Sequence, residues 1–339
     1  MLATLTLPAG TEISTPLRAS TVRVRSADEL RTALRQARER SLTLDGSGMD
    51  RVLRLDTGRG MVEVQAATPW PALAEYLGSH RVAIEPFSRM SCLPASVGEA
   101  VSQAAAGPDG LPVSAHVAAV TLATPDGELR RADRHSNREL FRLVLGGHGV
   151  IGVLYSVTLS VESLRRSAAE ATAPVELSLA DAGIPSAAGR VLEYLLPPDA
   201  LDAYLKEVRA LAAERRFSLH GVSVRRYQPE GSAFLGWASR EWAGVQLRIG
   251  TRTTLGGSVG AAEVRCALLC AALAHGGSFP IRDPRDATRR QLETCYPMLG
   301  AFLAEKRRAD PAERLQNAWY RDLRTKVRCE PCQVRWGRS

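Results

Sequence analysis

The sequence predicts an α+β chain of two domains, on three observations. Its 339 residues are about twice the length of an ordinary domain. In the first half, short helices and strands mix without strict βαβ alternation. After an Ala/Ser/Pro-rich stretch from Ser163 to Pro185, which lacks periodicity and reads as irregular, the order becomes strand, helix, strand, strand, helix. That order suits a small antiparallel sheet with helices on one face.

In chain order, Val22 to Val24 reads as a strand, and Ser26 caps the following helix, with Glu29 at capping-box spacing. Leu30, Leu34 and Ala37 share one face of that helix. LTLDGSGMDRVLRLD and MVEVQA read as strands joined by turns. Trp70 to Leu77 is a short helix entered through prolines, and Glu99 to Ala106 is a second. Val117 to Ala123 alternates as a strand, and Pro125-Asp-Gly127 marks a turn. Asn137 to Leu145 is a helix, and Gly152 to Val161 a strand. In the second half, Arg190 to Leu196, Phe217 to Tyr227 and Gly244 to Ile249 read as strands. Pro198 to Arg215 and Val259 to His275 read as helices. Arg289 to Asp322 reads as helical and then irregular.

An apolar fraction of 45% and a charged fraction of 24% exclude disordered and fibrous classes. The longest uncharged apolar stretch, Cys266 to Ala274, is far short of the ~18–20 residues a membrane span needs. MLATLTLPAG has neither the basic start nor the apolar core of a signal peptide, so a cytoplasmic location is expected. The net charge of +8 is almost all arginine, with lysine only at 206, 306 and 326. The tail from Tyr320 to Ser339 carries six basic and two acidic residues, half of that excess. A short basic tail reads as a solvated end, so no nucleic-acid partner is expected.

Six cysteines without an export signal read as reduced thiols. Cys266 and Cys270 fall in an apolar helical stretch, where free Cys acts as a small hydrophobe. Cys329 and Cys332 form a CxxC that lacks the second pair a zinc site needs, so no metal is expected. The six histidines are scattered, and no nucleophile elbow, Walker loop or HExxH motif is present.

Gly147-His-Gly149-Val-Ile-Gly152 has the letters of the dinucleotide fingerprint, but a helix precedes it and a strand follows. The fingerprint needs the reverse order, so a Rossmann nicotinamide site is excluded. These glycines serve a tight turn or a close backbone approach to a ligand. Ser96-Val-Gly98, in a run of small residues ending at Gly107, has the same two readings.

Six pieces of the chain, in order, resemble the vanillyl-alcohol-oxidase type of FAD-linked oxidoreductase. They are VRVRSADELRTALRQA, DRVLRLDTGRGMVEVQAATPWPALAEYL, LPASVGEAVSQAAAG, VAAVTLATPDGELRRADRHSNRELFRLVLGGHGVIGVLYSVTLSV, RFSLHGVSVRRYQPEGSAFLGWA and the segment from His275 to Leu323. The resemblance is nearest to the branch of aldonolactone and alditol oxidases and decaprenylphosphoryl-ribose oxidase. It implies a PCMH-type FAD-binding domain over 1–165, an antiparallel-sheet cap over 166–288 and a C-terminal return over 289–339.

By that resemblance FAD would be contacted at Ser96, Val97, Gly98, Gly107, Gly149, Ile151, Gly152 and Val153, with Asn317 and Trp319 near the flavin edge. His220, Arg225 and Arg282 would face the substrate. The implied reaction is hydride transfer from an alcohol carbon of a polyol, sugar lactone or related small molecule to FAD. The attaching His of covalent members lies on an early loop, and no His precedes His80, so FAD is expected to be noncovalent.

Three departures accompany the resemblance. Ala37 to Ser41 runs almost directly into LTLDGSGMDRVL, where the family has a Gly-rich loop around the FAD pyrophosphate; Gly46-Ser-Gly48 is the candidate remnant. Glu99 stands where a second glycine is usual, and a carboxylate repels a pyrophosphate. Arg282 stands in place of a catalytic lysine and is a poor proton acceptor, which leaves the base unassigned. These departures define the alternative, a flavin-free relative acting as a binding or scaffolding subunit, with its partner unspecified.

Overall fold

The computed structural model of the chain describes residues 2–5, 20–37, 42–90, 93–177, 190–250, 255–282 and 284–327. The chain opens with β1 (Leu2–Leu5), β2 (Ser20–Arg23), α1 (Ala27–Gln36) and β3 (Leu42–Asp45). The Ser26 hydroxyl accepts the Glu29 N–H and starts α1, as the sequence predicts. Strand β3 pairs antiparallel with β1 and parallel with β2. This small sheet and α1 bury Val24, Leu30, Leu34, Leu44 and Met49 in a core of their own.

The central sheet follows. Its elements are β4 (Val52–Asp56), β5 (Met61–Gln65), α2 (Trp70–Ser79), α3 (Glu85–Arg89), α4 (Val97–Ser102), β6 (Val117–Ala123), β7 (Leu129–Asp133), α5 (Arg138–Val144), β8 (Val153–Ser160) and α6 (Val161–Ala169). The strand order is β4-β5-β8-β6-β7, antiparallel throughout. Alternation along β5 and β6 buries Val62, Val64, Val120 and Leu122 in a second core.

The outer sheet is built from β9 (Val175–Leu177), β10 (Arg190–Leu196), β11 (Ser218–Tyr227) and β12 (Trp242–Gly250), in the order β10-β12-β11-β9. Helices α7 (Leu201–Arg215) and α8 (Leu255–Ala274) intervene and follow. The antiparallel register sets Glu193 opposite Gln246 and Gln246 opposite Ser223. One face therefore carries Glu193, Gln246, Arg248, Ser223, Arg225 and Tyr227. The opposite face carries Leu192, Tyr194, Leu196, Val245, Leu247 and Val222, and its buried members join the second core.

The chain ends in α9 (Arg289–Cys295), α10 (Leu299–Ala309), β13 (Leu315–Gln316) and α11 (Ala318–Lys326), and β13 pairs with β1 at the edge of the small sheet. No helix of the described residues is long and apolar enough to cross a membrane.

Three local expectations are corrected. The stretch from Ser163 is not irregular at its start. The Ser160 hydroxyl caps α6, and Leu164 is fully buried beneath it. The segment after Arg289 does not lapse into irregularity, because the Asn317 side chain caps a further helix. Cys266 and Cys270 are exposed on α8 rather than packed inside. Cys92, Cys329 and Cys332 lie outside the described residues, as does the tail beyond Val327.

A buried ion pair positions the C-terminal return. Lys306 on α10 donates to Asp310, and neither side chain has any exposure. Asp310 also accepts the Leu315 N–H at 2.8 Å, which fixes the start of β13. Burial lowers the Lys306 pKa, and Asp310 opposes that shift. Replacing Lys306 by Met leaves the buried Asp310 carboxylate with the looser pairing to Arg314, 3.9 Å away, so Lys306→Met is expected to cost about 3–5 kcal/mol. Adding Asp310→Asn keeps an acceptor for Leu315 and is expected to restore most of it. Urea unfolding of both variants checks this; a double variant no more stable than the single one contradicts it.

Candidate functional site

The polar face of the outer sheet lies against the small-residue run after α4. Arg225 is the link. Its guanidinium is buried and donates to the Gly107 carbonyl at 2.5 Å and to the Pro108 carbonyl. Trp237 adds a second tie by donating to the Ala104 carbonyl at 2.8 Å.

Between these ties lies a narrow inner chamber of about 20 Å³. Its walls include Gln103 to Ala106 and Gly146 on one side, and Glu193, Tyr227, Trp237 and Arg282 on the other. Within it Glu193 accepts hydrogen bonds from the Tyr227 hydroxyl and from Arg282. The Glu193 side chain is 10% exposed and that of Arg282 35%, so the pair stands at the chamber mouth. A larger cavity of about 400 Å³ opens beside it and shares Glu193, Pro280 and Arg282 with the chamber.

A second cleft, of about 30 Å³, runs along the seam between the small and central sheets. Gly46, Met49, Ala66, Ala67, Ser96, Gly149 and Val153 are among its lining residues. The seam is where the two hydrophobic cores meet. Ser96 caps α4 by accepting the Glu99 N–H at 3.3 Å. The Val97 and Gly98 N–H groups donate to the Thr68 and Ala66 carbonyls, at 3.0 and 2.8 Å. The donors at the start of α4 are thus spent within the protein. A Cβ on Gly98 would fall 2.6 Å from the Ala66 oxygen, so close packing of α4 on β5 requires glycine there.

The turn from Gly146 to Gly149 joins a helix to a strand, as the sequence predicts. His148 lies in it with φ of 51° and stacks on Trp319 with ring centroids 4.2 Å apart. The Asn317 amide donates to the His148 carbonyl at 2.7 Å, and the Trp319 indole donates to the Ile281 carbonyl at 2.6 Å. Burial, together with the charge of Arg282, holds the His148 imidazole down at about 3, so the ring is neutral near pH 7.

Of the residues singled out in the sequence, Ser96, Gly149 and Val153 line the seam together. Gly107 and Arg225 meet each other, with Arg225 serving as a strut. Asn317 and Trp319 meet His148, and Arg282 stands at the chamber. Val97 and Ile151 are packed in the core, and Gly152 sits against Leu122 and the Ala123 carbonyl. His220 lies apart. It occupies the irregularity between Leu219 and Gly221 at the far end of β11, packed over Gly250.

Glu193, Tyr227 and His148 were not singled out as site residues. Glu193 and Tyr227 are 34 residues apart and meet only through the register of β10, β12 and β11. A shared face was readable from the alternation of each strand, but the pairing between strands was not.

The unfolded chain protonates His148 near its ordinary pKa of 6.5, while the folded chain waits until about 3. Between these values the unfolded state holds more protons, so stability falls with falling pH, by up to ~5 kcal/mol. His148→Phe keeps a ring on Trp319 and removes the titration. Its stability is expected to fall less steeply than wild type between pH 6.5 and 4.5 in urea titrations. Parallel profiles would show that His148 does not set the slope.

Residues 21–133 match the family described as "FAD binding domain", a third of the chain. None of the curated proteins matches the sequence. In fold the chain resembles a solved structure of alkyldihydroxyacetonephosphate synthase, with a TM-score of 0.58 and 9% identity. That likeness covers 87% of this chain and 75% of the other. Residues 21–133 are therefore similar to an FAD-binding domain, in a chain that shares the fold of that synthase.

Proposed function

We propose that this protein is an oxidoreductase that oxidises an alcohol carbon of a polyol, sugar lactone or related small molecule, with FAD held noncovalently. The observation that carries the reading is the chamber, walled jointly by the run after α4 and by the polar face of the outer sheet. The matched FAD-binding domain supports it.

The seam fits FAD in position and in kind. Ser96, Gly149 and Val153, expected by resemblance to touch the cofactor, line it with other small or apolar residues. These residues, with Gly46, Ala66 and Ala67, would line FAD once the seam opens. Its free volume of about 30 Å³ is well under the roughly 300 Å³ at the lower end of ligand pockets. Binding therefore requires the two sheets to separate along the seam. When bound, FAD supplies the hydride acceptor.

The chain's own residues have separate tasks. Glu193 is the carboxylate at the chamber mouth and is suited to take the proton of a substrate hydroxyl. Tyr227 and Arg282 orient it from two sides. Leu235, Trp237 and Pro280 give the chamber apolar walls that exclude water. Arg225 positions the outer sheet without touching the chamber.

A specific observation favours a second reading, the flavin-free relative acting as a binding or scaffolding subunit. The N–H groups opening α4 are all bonded internally, and the seam is closed.

The visible spectrum decides between the two. The purified protein incubated with FAD and desalted is expected to keep a band near ~450 nm, the flavin's own absorption. Acid precipitation is expected to leave that colour in the supernatant, as a noncovalent cofactor requires. A colourless protein after incubation favours the second reading, and colour retained in the pellet contradicts noncovalent binding.

A further inference from the structure

Two buried polar atoms at the turn from Gly146 to Gly149, His148 Nε2 and Ser102 Oγ, have no hydrogen-bond partner among the described residues. His148 is 7% exposed and Ser102 1%. The two residues are neighbours, because the His148 N–H donates to the Ser102 carbonyl at 2.9 Å. The rest of His148 is engaged. Its carbonyl accepts from Asn317, and one face of its ring is covered by Trp319 at an interplanar angle of 8°. The unmatched part is an edge of the ring. A buried polar atom left unmatched costs stability, and folded proteins leave few of them. A phenyl ring would stack on Trp319 and leave no such atom, so packing alone does not account for histidine here.

His148 lies in the wall between two spaces. Gly146, two residues before it, lines the chamber, and Gly149, directly after it, lines the seam. Trp319, on which it stacks, donates to the carbonyl of Ile281, a chamber residue. The charge of Arg282, also of the chamber, reaches the imidazole. While the seam is closed, His148 lines neither space. The small sheet and the turn after it supply Leu44, Gly46 and Met49 to the seam. Parting the sheets moves these residues away from the turn at Gly149 and opens room beside His148. A ligand that enters there and serves the chamber meets this histidine on its way. The ring is neutral near pH 7, so Nε2 presents an N–H or a lone pair according to its tautomer. The pyrimidine edge of a flavin carries carbonyl acceptors and an N–H donor, and so matches one tautomer or the other.

We propose that His148 is a cofactor-binding residue whose Nε2 hydrogen-bonds the pyrimidine edge of the flavin ring when FAD occupies the opened seam. The inference rests on the oxidoreductase reading for the presence of FAD. It adds a polar side chain to the contacts expected in this stretch, since Gly149, Ile151, Gly152 and Val153 carry none.

The test is titration of FAD into the purified chain, followed by fluorescence, for wild type, His148→Phe and His148→Gln. The Phe variant keeps a ring on Trp319 and removes the polar atom, and the Gln variant keeps a polar amide of similar reach. His148→Phe is expected to bind FAD about three- to tenfold more weakly, as the loss of one hydrogen bond implies. His148→Gln is expected to keep most of the wild-type affinity. Equal affinity in wild type and the Phe variant overturns the proposal. So does an equal loss in both variants, which marks disturbed packing. Imidazole nitrogen NMR on wild type depends on no variant folding. There the Nε2 resonance of His148 is expected to move on addition of FAD but not of ADP, which lacks the flavin ring. An unmoved resonance, or the same movement with ADP, overturns the proposal. Failure of wild type to bind FAD at all sinks the oxidoreductase reading itself, whereas binding with an unmoved Nε2 resonance sinks this assignment alone.

Discussion

The site depends on one buried cation. Arg225 projects from the outer sheet into the first half of the molecule, where burial of a guanidinium is costly unless acceptors meet it. The Gly107 and Pro108 carbonyls do so, the Met90 sulfur lies 3.8 Å away, and the Tyr227 ring lies 6.0 Å away. The arrangement works in both directions. The loop at Gly107 gains partners for two carbonyls, and the sheet gains a fixed place over the Ala-rich run. Together with the Trp237 bond to the Ala104 carbonyl, that clasp fixes the two walls of the chamber to each other.

From this link the chemistry follows by strand parity. Arg225 and Tyr227 are two residues apart on β11 and so share a face. The register carries that face across β12 to Glu193 on β10. Glu193 then meets Arg282 from a loop 89 residues further along the chain. The same parity sends Val245, Leu247 and Leu196 to the other face, into the core. One sheet thus separates a packed side from a polar side without any special motif.

This explains what was legible in the sequence. Local signals held: Ser26 caps its helix, Val117 to Ala123 is a strand, and the glycine-rich turn joins a helix to a strand. The resemblance pointed to Ser96, Gly149 and Val153, three parts of one seam. Long-range pairing was the hidden part. Tyr227 read as the end of a strand and Glu193 as the middle of another, and nothing within either strand fixes their register. His148 was hidden for a different reason. Its neutral state comes from burial beside Trp319, a residue 171 positions away. Gly98 shows the opposite case, a residue that resembled a ligand contact and is explained by its approach to Ala66.

In the proposed reading, the seam ties the cofactor to the architecture. Small and central sheets have separate cores, and few apolar residues bridge them, among them Ala123, Val153 and Tyr155. At the β5 end the seam is pinned by Gln65, which is buried, accepts the Arg51 N–H at 3.1 Å and donates to the Arg25 carbonyl at 3.1 Å. At the Gly149 end the lining is apolar and small. Polar bonds resist separation more sharply with distance than apolar contact does, because hydrogen bonds weaken steeply away from their preferred geometry. Opening is therefore easiest at the end lined by Ser96, Gly149 and Val153. An apolar surface exposed there would be covered again by a flat cofactor, so much of the cost of parting the sheets is returned on binding. The boundary between two independently packed cores is thus the place where this fold can admit a large ligand with least disruption to either core.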